Sequence, residues 1–388
     1  MAEAVQGPAA RAERGRPGSL SRCPDSGRDM DAKTEFLEVK GGTEARGLRA
    51  ASPWEAAPPV GSDRPVAAIG VFDGVHVGHR SLLRRGLVLA RERKAPLVAV
   101  TFWPHPDRVV RRDGGKGGLL TTLGDKAALL QAAGAQRVLA LKFTEQVAAV
   151  EPEPFFTETL VETLGCQAVV VGFNFTFGRG ARGDAALLAE LGKAAGVEVI
   201  IHPAVRIRGQ VVSSSAVRQA LREGDVERAT LLLGRPHSLV GTVSRGYGRG
   251  QSLGFPTANV EYPGEVLCPA TGVYVCSLAR GDVAPDDLSQ ALPSVANLGF
   301  RPTFAPPDGE GTPPGLEVHV LAGEPPGYGE RVRVFFHRRL RAERTFSSPE
   351  ELAAQISRDR ERALAFFGVD LGRGDRPQLA PGQVGVLE

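Results

Sequence analysis

Lysine is scarce in this 388-residue chain and missing from its second half: seven are present, the last at Lys193, among 47 basic residues. A P-loop needs a lysine after its glycine-rich turn to reach nucleotide phosphates. Any phosphate chemistry beyond Lys193 is therefore of another type. Upstream, Gly114-Gly-Lys-Gly-Gly118 lacks the Gly-Lys-Ser/Thr spacing and reads as a loop. Cysteine is equally sparse. Cys23, Cys166, Cys268 and Cys276 form neither a C-x-x-C pair nor a metal-binding spacing, and they fit free thiols in a reducing cytoplasm. No apolar run approaches the roughly 18 residues of a membrane span, and residues 1–60 hold no continuous apolar segment of a secretory signal. Charge of one sign is not in excess either. A net charge of +3 and a pI near 8.7 make no case for nucleic acid or a membrane as partner, and nothing in the sequence speaks to oligomeric state.

What is present divides the chain into four stretches. Residues 1–62 are rich in Ala, Gly, Pro, Arg and Ser without helical or strand period, and are expected to be disordered. From Val66, β-rich runs at Val66–Val71, Leu97–Phe102, Arg137–Leu141, Ala168–Gly172 and Val197–Ile201 alternate with helix-like stretches at 80–94, 125–133, 154–164 and 184–195. Such alternation predicts βαβ units, a parallel sheet with helices on both faces, and hence an α/β Rossmann-like domain over residues 63–234. Two further helical stretches, 214–222 and 225–233, close it at Gly234. From Arg235 the pattern changes to short runs rich in Val, Thr, Tyr and Phe broken by Gly and Pro, which predicts a small antiparallel β-barrel over 235–368. Residues 369–388 read as a tail.

The densest chemistry is Phe72-Asp-Gly-Val-His-Val-Gly-His79, directly after the first apolar run. Ligands of α/β sheets sit at the carboxyl ends of strands, and free amides at a helix start favour phosphate. Gly74 and Gly78 let backbone approach a ligand, and His76 and His79 are spaced to face one side and donate to phosphate oxygens during nucleotidyl transfer. A zinc site from His76, His79 and His105 is the sharper competitor, but the helical His-x-x-x-His register and a nearby cysteine are both missing. Ser213-Ser-Ser-Ala-Val-Arg218 places three hydroxyls and an arginine at a helix start. That is equally an N-cap cluster or a polyphosphate clamp. In Gly172-Phe-Asn-Phe-Thr-Phe-Gly178 the alternating phenylalanines read equally as core and as faces for a planar ring.

In the second half, Gly246 and Gly248 stand in a glycine-rich loop able to wrap phosphates, although a plain hairpin turn explains them as well. Gly254-Phe-Pro-Thr-Ala-Asn259 is stronger: if extended, Thr257 and Asn259 point one way and offer hard oxygen ligands to a magnesium–nucleotide. Glu317, in Leu316-Glu-Val-His-Val320, shares a strand face with His319; a carboxylate at a barrel opening can take the proton of an attacking hydroxyl.

Phe72–His79, Thr101-Phe-Trp-Pro-His-Pro106, Gly172–Gly178 and Ser213–Arg218 occur in an order that resembles the adenylyltransferase module of the bacterial bifunctional riboflavin kinase/FAD synthetase family. Gly254–Asn259, Gly272-Val-Tyr274, Asn297–Phe304, Glu317-Val-His319 and Leu340–Glu343 through Ile356 resemble its riboflavin kinase module. The resemblance spans roughly residues 64–367. It implies a nucleotidyltransferase domain followed by a riboflavin kinase-like barrel that convert riboflavin to FMN and FMN to FAD with ATP and Mg2+. It also implies an ATP site at Gly70, Phe72, Asp73, Gly74, His76, Gly78 and His79, a pyrophosphate clamp at Ser213, Ser214, Ser215 and Arg218, and a flavin site at Asn174 and Phe175. On the barrel it implies magnesium–ATP at Gly246, Gly248, Thr257 and Asn259, with Glu317 as base. Ser215 replaces a usual threonine, Thr176 a frequent arginine, and residues 321–329 depart from the usual Asp-Phe and Leu-Tyr-Gly pattern. Two alternatives stand beside this: another nucleotidyltransferase with an accessory barrel, and a nucleotide-binding regulator without turnover.

Overall fold

The structure is a computed structural model that describes residues 34–37 (backbone only), 64–111, 117–245, 254–300 and 313–368. The expectations for Gly246 and Gly248, for the tail 369–388 and for most of 1–62 lie outside these residues. One part of the N-terminal stretch departs from expectation. Thr34–Leu37 forms a strand, β1, paired in parallel with Val138–Leu141. Four residues suffice for an edge strand, too few to show a period in the sequence.

The first domain is a six-stranded parallel sheet. Its remaining strands are β2 (Val66–Ile69), β3 (Leu97–Trp103), β4 (Arg137–Lys142), β5 (Ala168–Gly172) and β8 (Glu198–His202), in the order β1-β4-β3-β2-β5-β8. The short pairs β6 (Thr176–Phe177) with β7 (Gly183–Asp184), and β9 (Arg206–Ile207) with β10 (Gln210–Val211), lie outside it. Helices α1 (Val77–Glu92), α2 (Pro106–Val110), α3 (Leu123–Ala132), α4 (Glu145–Ala148), α5 (Pro152–Pro154, continuing as a π-helical stretch Phe155–Thr163) and α6 (Ala185–Ala195) connect the strands. The central strands bury both faces. Ala67, Ile69, Val98 and Val100 pack in one core, while Val66, Ala68, Leu97 and Ala99 pack in another. That is why they read as unbroken apolar runs rather than alternating ones.

Helices α7 (Ser214–Glu223) and α8 (Val226–Leu233) lead to the barrel. Its strands are β11 (His237–Ser244), β12 (Ala258–Glu261), β13 (Gly272–Arg280), β14 (Leu292–Gly299), β15 (Gly315–Val320) and β16 (Arg331–Arg341), closed in the order β11-β12-β15-β14-β13-β16, with all pairs antiparallel. A last helix, α9 (Pro349–Phe367), is capped by Ser348, which accepts from the Glu351 N–H. Val217, Leu221 and Leu232 share one core with Leu239, Val334 and Phe336, so α7 and α8 belong to the barrel's packing as much as to the sheet's. Polar contacts tighten the junction: Arg333 of β16 forks onto both oxygens of Asp125 in α3 (3.2 and 2.6 Å), and Leu119 exchanges backbone bonds with Glu265 and Leu267 (2.9 and 2.7 Å).

Candidate active sites

The first site is a turn at the carboxyl end of β2, running from Val71 into α1. Phe72 and Val75 take left-handed backbone angles (φ 51° and 40°) and Gly74 sits at φ 81°. For Phe and β-branched Val such angles cost about 1–3 kcal/mol each, so other contacts must hold the turn. A Cβ on Gly74 would also stand 2.8 Å from Leu120, which leaves glycine there for two reasons.

His76 is the N-cap of α1, and its Nδ1 accepts the His79 N–H at 3.2 Å. Because Nδ1 accepts, the proton of a neutral His76 ring sits on Nε2. The two imidazoles stack with centroids 3.6 Å apart, and Phe72 meets the His79 ring edge-on at 5.1 Å. The expectation of two histidines on one side holds, with the helix starting at Val77 rather than at Arg80. Burial, aided by the charge of Arg235, lowers His76 to about 4. Burial, the His76 ring and Lys126 hold His79 well below 6.5. Both rings are therefore neutral donors near neutral pH. His79 Nδ1 is buried and has no hydrogen-bond partner among the described residues.

Two side chains of the motif face inward: Phe72 and Asp73 are buried at 0% and 2% exposure. The Asp73 carboxylate accepts the Leu120 N–H (3.0 and 3.2 Å) and pairs with the Arg218 guanidinium. The three serines also separate. Ser213 caps α7 by accepting from the Ala216 N–H, and Ser214 donates to the Asp73 carbonyl at 2.8 Å. Only Ser215 lines the adjacent cavity.

That cavity, about 370 Å³, is rich in arginine: Arg108, Arg111, Arg218 and Arg222 line it beside Asp107, His105 and Ser215. Its lining includes neither His76 nor His79; Asp73 and Arg218 join the two regions. His105 caps α2, its Nδ1 accepting the Asp107 N–H at 3.1 Å, so its neutral ring also carries the proton on Nε2. Arg218 and Arg222 donate to the Gly118 and Gly117 carbonyls (2.9 Å each), and Arg108 pairs with Glu265 of the barrel at 3.1 Å. Arg108, Arg111 and Arg222 carry no recognisable local spacing, and the sequence gives no sign of them as site residues. No group of three or more His, Cys, Asp or Glu able to hold a metal occurs among the described residues.

In the 172–178 segment expected to meet the flavin, Asn174 is exposed beyond β5. Phe175 stacks on Phe177 with centroids 5.7 Å apart, and Phe177 lies in the core, so the alternating phenylalanines are partly core. Phe173 is the exposed ring, at 48%.

The second site lies on the outside of the barrel. Leu316 and Val318 point into its core, so Glu317 and His319 face outward, rather than into a barrel opening as the sequence suggested. Register places Asn259 of β12 opposite Glu317, and Asn297 of β14 on the other flank, so three polar side chains form a row across adjacent strands. The Asn259 side is buried, at 8% exposure. Thr257 lies just ahead of β12. His319 Nδ1–H donates to the Pro256 carbonyl at 2.8 Å, which ties the Thr257 segment to the strand bearing Glu317.

Acid should loosen this protein. His76, His237 and His337 are each held near 4 by burial, against 6.5 when unfolded. Above pH 6.5 both states are neutral and stability is full; below it the unfolded chain takes up protons that the folded one refuses. The thermal midpoint should therefore fall steadily from pH 6.5 to about 4. A midpoint flat across that window would contradict the buried neutral state.

The family model for FAD synthetase matches residues 61–216, and that for riboflavin kinase matches residues 233–367. The bifunctional riboflavin kinase/FMN adenylyltransferase of Bacillus subtilis is 33% identical over 78% of this chain and 93% of its own length. That of Escherichia coli K12 is 37% identical with the same coverages. Among solved structures, a Streptococcus pneumoniae protein titled a macrolide-efflux protein shares the fold at TM-score 0.70 and 28% identity, over 85% of this chain and 98% of that one. No helix among the described residues of the present chain is long and apolar enough to cross a membrane.

Proposed function

The chain belongs to the bifunctional riboflavin kinase/FMN adenylyltransferase family, and from that premise we propose how its two sites divide the work. It is an enzyme of flavin cofactor synthesis, phosphorylating riboflavin to FMN and adenylylating FMN to FAD. The residue roles are the proposal. In adenylyl transfer the FMN phosphate attacks the α-phosphorus of ATP, the α–β bond breaks, and pyrophosphate leaves. His76 and His79 donate neutral N–H groups to the reacting phosphate, and α1 presents its amino end to it. Ser215, Arg218, Arg108, Arg111 and Arg222 receive the departing pyrophosphate in the cationic cavity. Asn174, with Phe175 behind it, holds the flavin.

In phosphorylation Glu317 takes the proton of the ribityl 5′-hydroxyl as that oxygen attacks the γ-phosphorus and ADP leaves. Thr257 and Asn259 offer only neutral oxygen donors. Such a pair fits a cation that arrives with its counter-charge, as Mg2+ does on ATP phosphates. When bound, Mg2+ neutralises charge developing on the transferred group. The chain's own residues position and accept the proton. The outward row Asn259–Glu317–Asn297 carries this reading, because it puts a carboxylate directly opposite Asn259, two residues along the chain from Thr257. The unpaired thiols Cys166 and Cys276 suit a cytoplasmic enzyme.

Riboflavin, ATP and Mg2+ given to the purified chain should yield FMN with ADP first, then FAD with pyrophosphate. FAD without pyrophosphate, or FMN formation undiminished by chelation, would overturn the assignment.

A further inference from the structure

The polar groups of the strained turn can be followed one by one. The Val71 carbonyl accepts from both Lys126 Nζ and Thr101 Oγ1 at 2.9 Å, the Phe72 carbonyl from the Val75 N–H at 3.2 Å, and the Asp73 carbonyl from Ser214. The Gly74 N–H donates to Thr121 Oγ1 at 3.3 Å. Two carbonyls remain, those of Gly74 and Val75, immediately before His76. Both accept from one guanidinium, that of Arg235, at 2.8 and 3.4 Å.

Arg235 does not come from the sheet domain. It follows Gly234 at the end of α8, two residues before β11, inside the stretch that matches the riboflavin kinase model. Its side is buried, at 6% exposure, a costly place for a cation unless its donors are used. Asp286 of the barrel and Asp125 of α3 favour its charge, Arg80 and Arg333 oppose it, and burial lowers it only to about 10, so it stays charged at neutral pH. A planar fork with several N–H donors can hold two successive carbonyls; an ammonium on a flexible stem cannot hold both in fixed directions.

We propose that Arg235 is a positioning residue for adenylyl transfer: supplied from the barrel side of the junction, it fixes the Gly74 and Val75 carbonyls and so the direction in which His76 and the start of α1 meet the nucleotide. A second arm acts on the other end of the turn. Arg333 of the barrel forks onto Asp125, and the next residue, Lys126, holds the Val71 carbonyl. The barrel is thus part of the adenylyltransferase machinery as well as a kinase. The inference rests on the reading of the histidine turn as the adenylyl-transfer site.

Arg235→Met and Arg235→Lys in the full chain test it, with FAD formation from FMN and riboflavin phosphorylation measured on one preparation. A reacting group displaced by about 1 Å costs roughly 100-fold. Arg235→Met should therefore lower kcat for FAD formation by about that factor, with KM for ATP little changed and phosphorylation of riboflavin retained. Arg235→Lys, which keeps the charge and N–H donors but not the planar fork, should recover part of the loss. Undiminished FAD formation in a folded Arg235→Met chain would overturn the proposal. So would an equal fall of both activities in both variants, which would make Arg235 a residue of the fold alone. His79→Ala serves as the control: if it leaves FAD formation intact, the site reading fails, whereas its loss beside an unaffected Arg235→Met removes only the role of Arg235.

Discussion

Glu317→Gln is expected to lower riboflavin phosphorylation by about 1,000-fold, the middle of the range for a positioned general base, while FMN supplied to the same chain still becomes FAD. The substitution keeps the length and planar end of the side chain and removes only its capacity to accept a proton. Folding should be indifferent to it. Leu316 and Val318, the neighbours that face the barrel core, are untouched, and the backbone register to Asn259 and Asn297 does not involve the carboxylate. The fall should appear in kcat with KM for ATP almost unchanged, because Thr257 and Asn259 remain. ADP release with riboflavin as acceptor measures the first step, and pyrophosphate release with FMN measures the second. Phosphorylation within ten-fold of the unsubstituted chain, about 1.4 kcal/mol, would remove Glu317 from the role of base.

Much of this was legible in the sequence because it is local. Apolar runs alternating with helix-like stretches gave the parallel sheet, and the shift after Gly234 to short runs rich in Val, Thr, Tyr and Phe gave the change to a barrel near Arg235. The motif placed His76 and His79 together where β2 hands over to α1, and the alternation in Leu316-Glu-Val-His-Val320 put Glu317 and His319 on one face. What the sequence could not show was which motif residues are ligands and which are braces. Asp73 lies in the same motif as His76, yet its carboxylate is spent on Leu120 and Arg218. The three adjacent serines cap, brace and line the cavity in turn, because a helix start points successive side chains in different directions. Nor could local pattern reveal contacts made across the chain. Arg108 meets Glu265, Arg235 meets Gly74, and Arg333 meets Asp125, each joining the two domains through pairs that no period or spacing connects.

His79→Ala is the mirror image of the first substitution. FAD formation should fall by about 100- to 1,000-fold, near 3 kcal/mol, the cost of deleting one preorganised donor from a transition state, while riboflavin is still converted to FMN. Of the two histidines it gives the cleaner test. The cap at the start of α1 uses the His79 backbone N–H and the His76 ring, so alanine at position 79 leaves it intact. His76→Ala removes ring and cap together and adds about 1 kcal/mol of lost stability to any catalytic effect. The His79 ring is held neutral because burial, its neighbour and Lys126 disfavour the cation, so it donates without first taking up a proton. If FAD formation persists in His79→Ala, the phosphates do not meet this ring and the stacked pair serves only to start the helix.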